Sequence, residues 1–275
     1  MVRKILQRMF AAILVCGAIM IVGCSGNDDN PIMPDNPVKP DEPTEEVHLT
    51  QVYGVSTLPN GDTLSIDILD YVWEDGLLRK THSYLNMPTY NIISESDYFY
   101  VYDDDGNCTE EHCVIGNNHY DYYFTYEGGL MTSGIEIIND EIIGKFTITG
   151  YTADGYVQTI TTERLLTGVI TDYEITWENG DMTAFTKYIK RPGEEEEIWE
   201  AIIDYDDYPN ARTGMPWGYA AFDPQMIASI VSAHNWDLGA ERFYSNGRMV
   251  KSYDESPSLT NVTYYTYSDG TTGRE

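Results

Sequence analysis

The sequence predicts an all-β protein: an antiparallel hairpin meander closing into a soluble barrel or strongly curled sheet, with one short helix near residues 224–233. Three observations carry this expectation. Apolar and polar residues alternate over most of residues 47–275, the period of a strand with one dry and one wet face. Clusters of Gly, Asn and Asp interrupt the alternation at intervals of roughly ten to fifteen residues, as tight turns do. Tyr occurs 23 times in 275 residues, beside recurrent Thr, Ile, Gly and Asp, a vocabulary of strands and turns rather than helices.

Ahead of the strands, residues 1–23 place Arg3, Lys4 and Arg8 before an apolar run from Met9 to Val22, the layout of a secretory signal. The run is short for a membrane span and ends in Ile21-Val22-Gly23-Cys24, which resembles a bacterial lipobox. Cys24 is therefore expected to carry acyl chains, each contributing about 0.8 kcal/mol per buried methylene, enough to hold the chain on a membrane. Ser25 follows the cysteine rather than Asp, and Gly26-Asn27-Asp28-Asp29-Asn30 resembles the acidic signal that sends Bacteroidota lipoproteins to the cell surface. The expected location is thus the outer membrane, lipid-anchored and facing outward. Residues 24–46 then form a linker, with Pro31, Pro34, Pro37, Pro40 and Pro43 at a three-residue period that favours an extended, solvated rod.

From Val47 the strands follow one another. Leu64, Ile66 and Ile68 alternate with Ser65, Asp67 and Leu69; Tyr98, Tyr100 and Tyr102 share one face before the turn Asp103 to Asn107. Tyr120, Tyr122, Phe124 and Tyr126 share a face of a strand two along, ending at Gly128-Gly129. Further turns at Asp75-Gly76, Asp154-Gly155, Asn179-Gly180, Asn246-Gly247 and Asp269-Gly270 bring the expected total to about fourteen or fifteen strands joined as simple hairpins. A sheet that long must curl, close or split to hide its edges. The exception is Asp223-Pro224 followed by Met226, Ile227, Ile230 and Val231 at helical spacing, which predicts a helix from Pro224 to Ala233 with Asp223 as its cap. Many strands are short, charged and interrupted by Gly, unlike those of a membrane-spanning barrel.

These features together resemble a family of Bacteroidales lipoproteins, a domain of unknown function with a porin-like β-barrel fold. The residues that carry the resemblance are the Tyr100 to Gly106 turn, the segment from Asp204 ending in Tyr208-Pro209-Asn210, and the helix after Trp217. Similar Tyr/Gly hairpins also occur in the YD repeats of toxin shells. The resemblance implies a soluble barrel over residues 47–275 holding lipid or another apolar ligand, with no catalytic residues to carry over.

Charge excludes one class of partner. Without the signal segment, 13 basic residues face 45 acidic ones, a net charge of −32 that repels nucleic acid. No nucleophile elbow, HExxH pair or phosphate-binding loop is present, and no cofactor is implied, so the expected protein is not an enzyme. Cys108 and Cys113, five apart, fall on opposite faces of a regular strand and pair only if Thr109 to His112 bulges. His112 and His119 beside them lack zinc-site spacing. Asp103-Asp104-Asp105-Gly106-Asn107 reads as a turn rather than a calcium loop, since the first ligand position falls on Val101, and Asp204, Asp206 and Asp207 read the same way. No metal is expected. Asp62-Thr63-Leu64 matches the Bacteroidota O-glycosylation triplet, making Thr63 a candidate glycan site.

What remains is the aromatic face. Tyr98, Tyr100, Tyr102, Tyr122 and Tyr126 either form cross-strand ladders in the core or line a site for an apolar, lipid-like ligand in a barrel lumen. A glycan-binding module using exposed aromatics, and a purely structural surface protein, are the alternatives.

Overall fold

The structure, a computed structural model, describes residues 47–212, 214–236, 241–256 and 258–274. The signal segment, Cys24 and the Pro-rich linker lie outside the described residues.

Strand alternation becomes strand pairing almost everywhere. The first half contains β1 (Leu49–Thr57), β2 (Thr63–Glu74), β3 (Leu77–Met87), β4 (Ile92–Tyr102), β5 (Cys108–Ile115) and β6 (Asn118–Glu127). It continues through β7 (Leu130–Ile138), β8 (Glu141–Tyr151), β9 (Val157–Arg164), β10 (Val169–Glu178), β11 (Asp181–Lys190) and β12 (Glu197–Ile202). Each is antiparallel to the next. After an insertion come β15 (Glu241–Ser245), β16 (Arg248–Ser256) and β17 (Leu259–Tyr267), and β17 pairs with β1. The result is one 15-stranded sheet, ordered β12 to β1 and then β17, β16, β15.

The turns behave as their residues dictate. Asn179 and Gly180 have φ of 53° and 89°, the double positive φ of a type I′ hairpin loop, and Asp75-Gly76 and Asn246-Gly247 repeat it. The Asp103 carboxylate accepts the backbone N–H of Asp105 at 3.0 Å and of Asn107 at 2.8 Å, closing the turn that sequence alone set against calcium.

The expected barrel is not what forms. The sheet is neither closed nor strongly curled: β12 and β15 are its two ends, and neither pairs with the other. The physical reason lies in residues 203–236. After β12 the chain leaves the sheet, lies across one face, and re-enters beyond β1, so a second layer buries the apolar face that closure would have buried. That layer holds β13 (Tyr205–Pro209) paired with β14 (His234–Trp236), 3-10 segments at Gly218–Phe222 and Pro224–Ile227, and a single α turn, α1 (Ala228–Val231).

The expected helix over residues 224–233 is a four-residue 3-10 segment followed by a four-residue α turn that ends at Val231, and Asp223 makes no side-chain capping bond. Packing holds the segment instead. Ala220, Ala221, Ile227 and Ala228 are essentially sealed from solvent, with Phe222, Met226 and Ile230 buried beside them. Facing them from the sheet are Tyr122, Phe124, Phe146, Ile148, Ile160, Tyr173 and Ile175. Met215 bridges this core to a smaller one around Leu49, Val52 and Tyr267.

Close approach explains two glycines. A Cβ on Gly134 would lie 2.4 Å from Phe146 Cε1, and one on Gly218 would lie 2.5 Å from Phe124 Cζ, so both rings lie against bare backbone.

Polar bonds fasten the insertion at both ends. Near β11, the His234 backbone N–H donates to Asp181 Oδ1 at 2.9 Å, and Tyr205 OH donates to the Met182 carbonyl at 2.8 Å. Near β15, Asp206 accepts from Tyr244 OH and from Arg242 at 3.2 Å, while Tyr208 stacks on Tyr244 at 3.6 Å. Asp206 is thus committed to holding the layers together.

Candidate functional site

The five tyrosines singled out by sequence do share one face of the sheet, on β4 and β6, and that face is the one under the insertion. Tyr98 and Tyr122 are each 5% exposed, and Tyr100, Tyr102 and Tyr126 are half-buried. Most of their hydroxyls are satisfied internally. Tyr102 donates to the Leu78 carbonyl at 2.8 Å, Tyr126 to the Cys108 carbonyl at 2.9 Å and Tyr122 to Glu136 Oε1 at 3.3 Å. With the sheet open there is no barrel lumen, but Tyr98 and Tyr100 line a cavity beneath the insertion, which Tyr102, Tyr122 and Tyr126 do not reach.

What is left beneath the insertion is a cavity of ≈ 60 Å³, bounded on the sheet side by Thr81, Tyr98, Tyr100 and Glu111. Glu111 was not singled out by sequence. Its position follows from a β-bulge in β5: Val101 pairs with Glu110 but Tyr102 pairs with Cys108, so one extra residue, Thr109, shifts the phase. Cys108, Glu111 and Cys113 consequently point the same way, whereas a regular strand sends the two cysteines to opposite faces. Both cysteines are buried and free. Burial pushes each thiol up to about 12, so neither is a ready thiolate.

Glu111 is 1% exposed, and burial raises its carboxyl from 4.5 to about 8. At neutral pH it is a protonated donor. Among the described residues its Oε2 and the Tyr98 hydroxyl have no hydrogen-bond partner; Cys113 and Ser96 lie beside that hydroxyl without meeting hydrogen-bond geometry.

The opposite face of the same strands is bare. Cross-strand pairing puts Lys80, Phe99, His112 and Asp121 in one row and Val101, Glu110 and Tyr123 in the next. Phe99 is 47% exposed and Tyr123 37%. Between them the His112 ring meets Tyr123 edge-on, with centroids 5.8 Å apart, and its Nδ1 and Nε2 lie 2.7 Å from Asp121 and 2.9 Å from Glu110. Desolvation opposes a charge on that imidazole, but the two carboxylates outweigh it and raise its pKa. Lys80 lies 5.3 Å from the Phe99 ring centroid and 2.9 Å from Asp97, which also meets His82 at 2.8 Å. Hydrogen bonding to Lys80 in turn lowers the Asp97 pKa. The two carboxylates on His112 bind opposite sides of one ring and so do not converge, and among the described residues no group of three His, Cys, Asp or Glu side chains forms a metal site.

Thr63 opens β2 just after the Leu58–Asp62 turn and is half-buried, with its carbonyl accepting from Thr89 at 3.3 Å. Among the described residues no helix is long and apolar enough to cross a membrane. Comparison with protein-family models finds no match, and comparison with curated proteins finds none either.

Proposed function

We propose that this chain is a non-catalytic, surface-tethered binding module that takes a saccharide on the bare face of β3 to β6. The observation that carries the reading is the platform of Phe99 and Tyr123 around a fixed imidazole. Flat rings exposed on a rigid sheet offer an apolar surface to the C–H face of a pyranose. The neighbouring Asp97, Glu110, Asp121 and Lys80 supply acceptors and a donor for its hydroxyls. Because each of these side chains is already held by a neighbour, the site loses little side-chain entropy on binding. Tethering enters from the sequence, through acylation of Cys24 and a linker that sets the domain off the outer membrane.

Affinity electrophoresis tests the site. Native gels cast with xylan, mannan or pectin are expected to retard the purified chain, and replacing both Phe99 and Tyr123 by Ala is expected to abolish the retardation. Free migration in all three gels, or equal retardation of the double variant, refutes the reading. Both rings are exposed, so the double variant keeps its fold.

A further inference from the structure

We propose that the free edge of β12 is a docking strip for an extended, basic segment of another protein, which joins the sheet there as one more antiparallel strand. The sheet has two ends, and they differ. On β15 a bulge between Phe243 and Tyr244 breaks the register, and Arg242 and Tyr244 are committed to Asp206 of the insertion. On β12 the register with β11 runs from Glu197 to Ile202 without a bulge, and among the described residues no strand pairs with its outer side. Its sequence, Glu197-Ile198-Trp199-Glu200-Ala201-Ile202, holds neither Pro nor Lys, the residues that commonly blunt an edge.

Backbone geometry fixes what this edge offers. The Ile203 N–H donates to the Thr183 carbonyl at 2.9 Å, so the odd-numbered residues of the strand turn their N–H and C=O groups toward β11. Ile198, Glu200 and Ile202 therefore turn theirs outward. Side chains follow the same alternation: Ala201 sits opposite Phe185 and packs on the core beneath the insertion, which sends Ile198, Glu200 and Ile202 to the bare face. Ile198 is 56% exposed and Ile202 85%. An added strand thus meets three outward-facing residues whose side chains are apolar, acidic and apolar in turn.

Charge selects the occupant. Glu194 to Glu197 lead into the strand and Asp204 follows it. Arg191 answers Glu194 and Glu197, and Lys190 answers Glu196, but Glu195, Glu200 and Asp204 are in no ion pair among the described residues. A second copy of the chain fits poorly, because opposing the outward residues of two β12 strands about their midpoint sets the two Glu200 side chains against each other. A segment that reads apolar, any residue, Lys or Arg, any residue, apolar puts a cation opposite Glu200 and apolar side chains opposite Ile202 and Ile198.

The experiment is fluorescence anisotropy of the dansyl-labelled peptide Thr-Val-Thr-Lys-Thr-Val-Thr titrated with the purified chain, beside a version with Glu in place of Lys. The Lys peptide is expected to bind at least about tenfold more tightly than the Glu peptide. Glu200→Lys is expected to reverse that order, which attraction to a diffusely acidic surface would not do. Ile198→Pro combined with Ile202→Pro removes two outward N–H groups while leaving the β11 ladder and Glu200 in place, and is expected to weaken the Lys peptide at least about tenfold. Near-ultraviolet circular dichroism checks that this variant is folded; if it is not, the Glu200→Lys reversal decides alone. No binding of the Lys peptide, an unreversed order in Glu200→Lys, or undiminished affinity in the folded proline variant overturns the proposal. So does sedimentation of the chain as a dimer that the proline variant abolishes, which makes a second copy the occupant.

Discussion

Glu111 shows how one side chain can set the pH response of a whole sheet. In the unfolded chain its carboxyl ionises near 4.5; in the folded chain it holds its proton to about 8. Below 4.5 both states are protonated and the residue costs nothing. Between those values the unfolded state releases a proton that the folded state retains, so folding loses stability as pH rises, until the penalty levels off above about 8 on the order of 5 kcal/mol. Glu111→Gln is therefore expected to match the wild type near pH 4 and to exceed it progressively toward pH 9. Urea midpoints at the two extremes measure this, and parallel profiles for the two proteins would show that Glu111 is already ionised in the fold. None of this was legible in the sequence, where Glu111 is one acid among 45. The tyrosines were legible as a shared face, because period two fixes faces, but whether a face meets a ligand or a second layer is decided by distant residues.

Among the elements, the insertion decides most. Phe222 shows why: its ring meets Phe146 edge-on with centroids 4.9 Å apart, leans on Tyr122 at 5.6 Å, and carries the Arg164 guanidinium 5.9 Å above it. Arg164 in turn pairs with the buried Glu136. Phe222→Ala should cost about 3–5 kcal/mol, since the cavity it opens lies between two layers that cannot both relax. Chemical denaturation checks the value, and a loss below about 1 kcal/mol would mean that the insertion is not docked as described. The sequence marked this segment as the break in the strand pattern but overstated its helix, because burial of small residues at Ala220, Ala221 and Ala228 fixes the path without any cap. Turns without glycine were likewise missed: Asn139 and Asp140 both adopt positive φ between β7 and β8, a conformation that Asn and Asp tolerate but do not advertise. On β2 the polarity itself misled. Ser65, Asp67 and Leu69 lie on the insertion side, with Ser65 buried and the Asp67 pKa raised by burial, while Ile66 and Ile68 lie on the bare face in a row with Val55 and Tyr53.

At the scale of the whole molecule, the hairpin order of β1 to β12 was readable at most turns, those at residues 88–91, 139–140 and 165–168 excepted, but the pairing of β1 with β17 was not, since alternation specifies which side a residue faces and never which strand lies beside it. That pairing has a consequence for chain connectivity. Leu49 sits opposite Tyr267, the Ser268 backbone N–H donates to the His48 carbonyl at 2.9 Å, and the His48 N–H donates to Ser268 Oγ at 3.2 Å. Strand β17 thus ends beside the start of β1, after which the chain turns back at Ser268–Gly270, bridges Thr272 to Thr266 and places the Arg274 guanidinium 3.9 Å over the Tyr53 ring. A flexible linker from Arg274 back to Val47, long enough to run the roughly 20 Å from beside Tyr53 to the start of β1, should close the chain at a cost of only a few kcal/mol, since closure cost grows slowly with loop length. New ends can then be opened at Gly128-Gly129, an exposed turn where a Cβ on either glycine would meet nothing within 4 Å and whose flanking strands keep their outer neighbours. The permuted chain is expected to unfold in a single transition, with a midpoint within about 2 kcal/mol of the natural order, and to keep the native near-ultraviolet signal of its buried tyrosines. Loss of that signal, or a second transition, would mean that the order in which β1 and β17 meet is part of what holds the sheet and the insertion together, and that their adjacency is a result of folding rather than a sufficient condition for it.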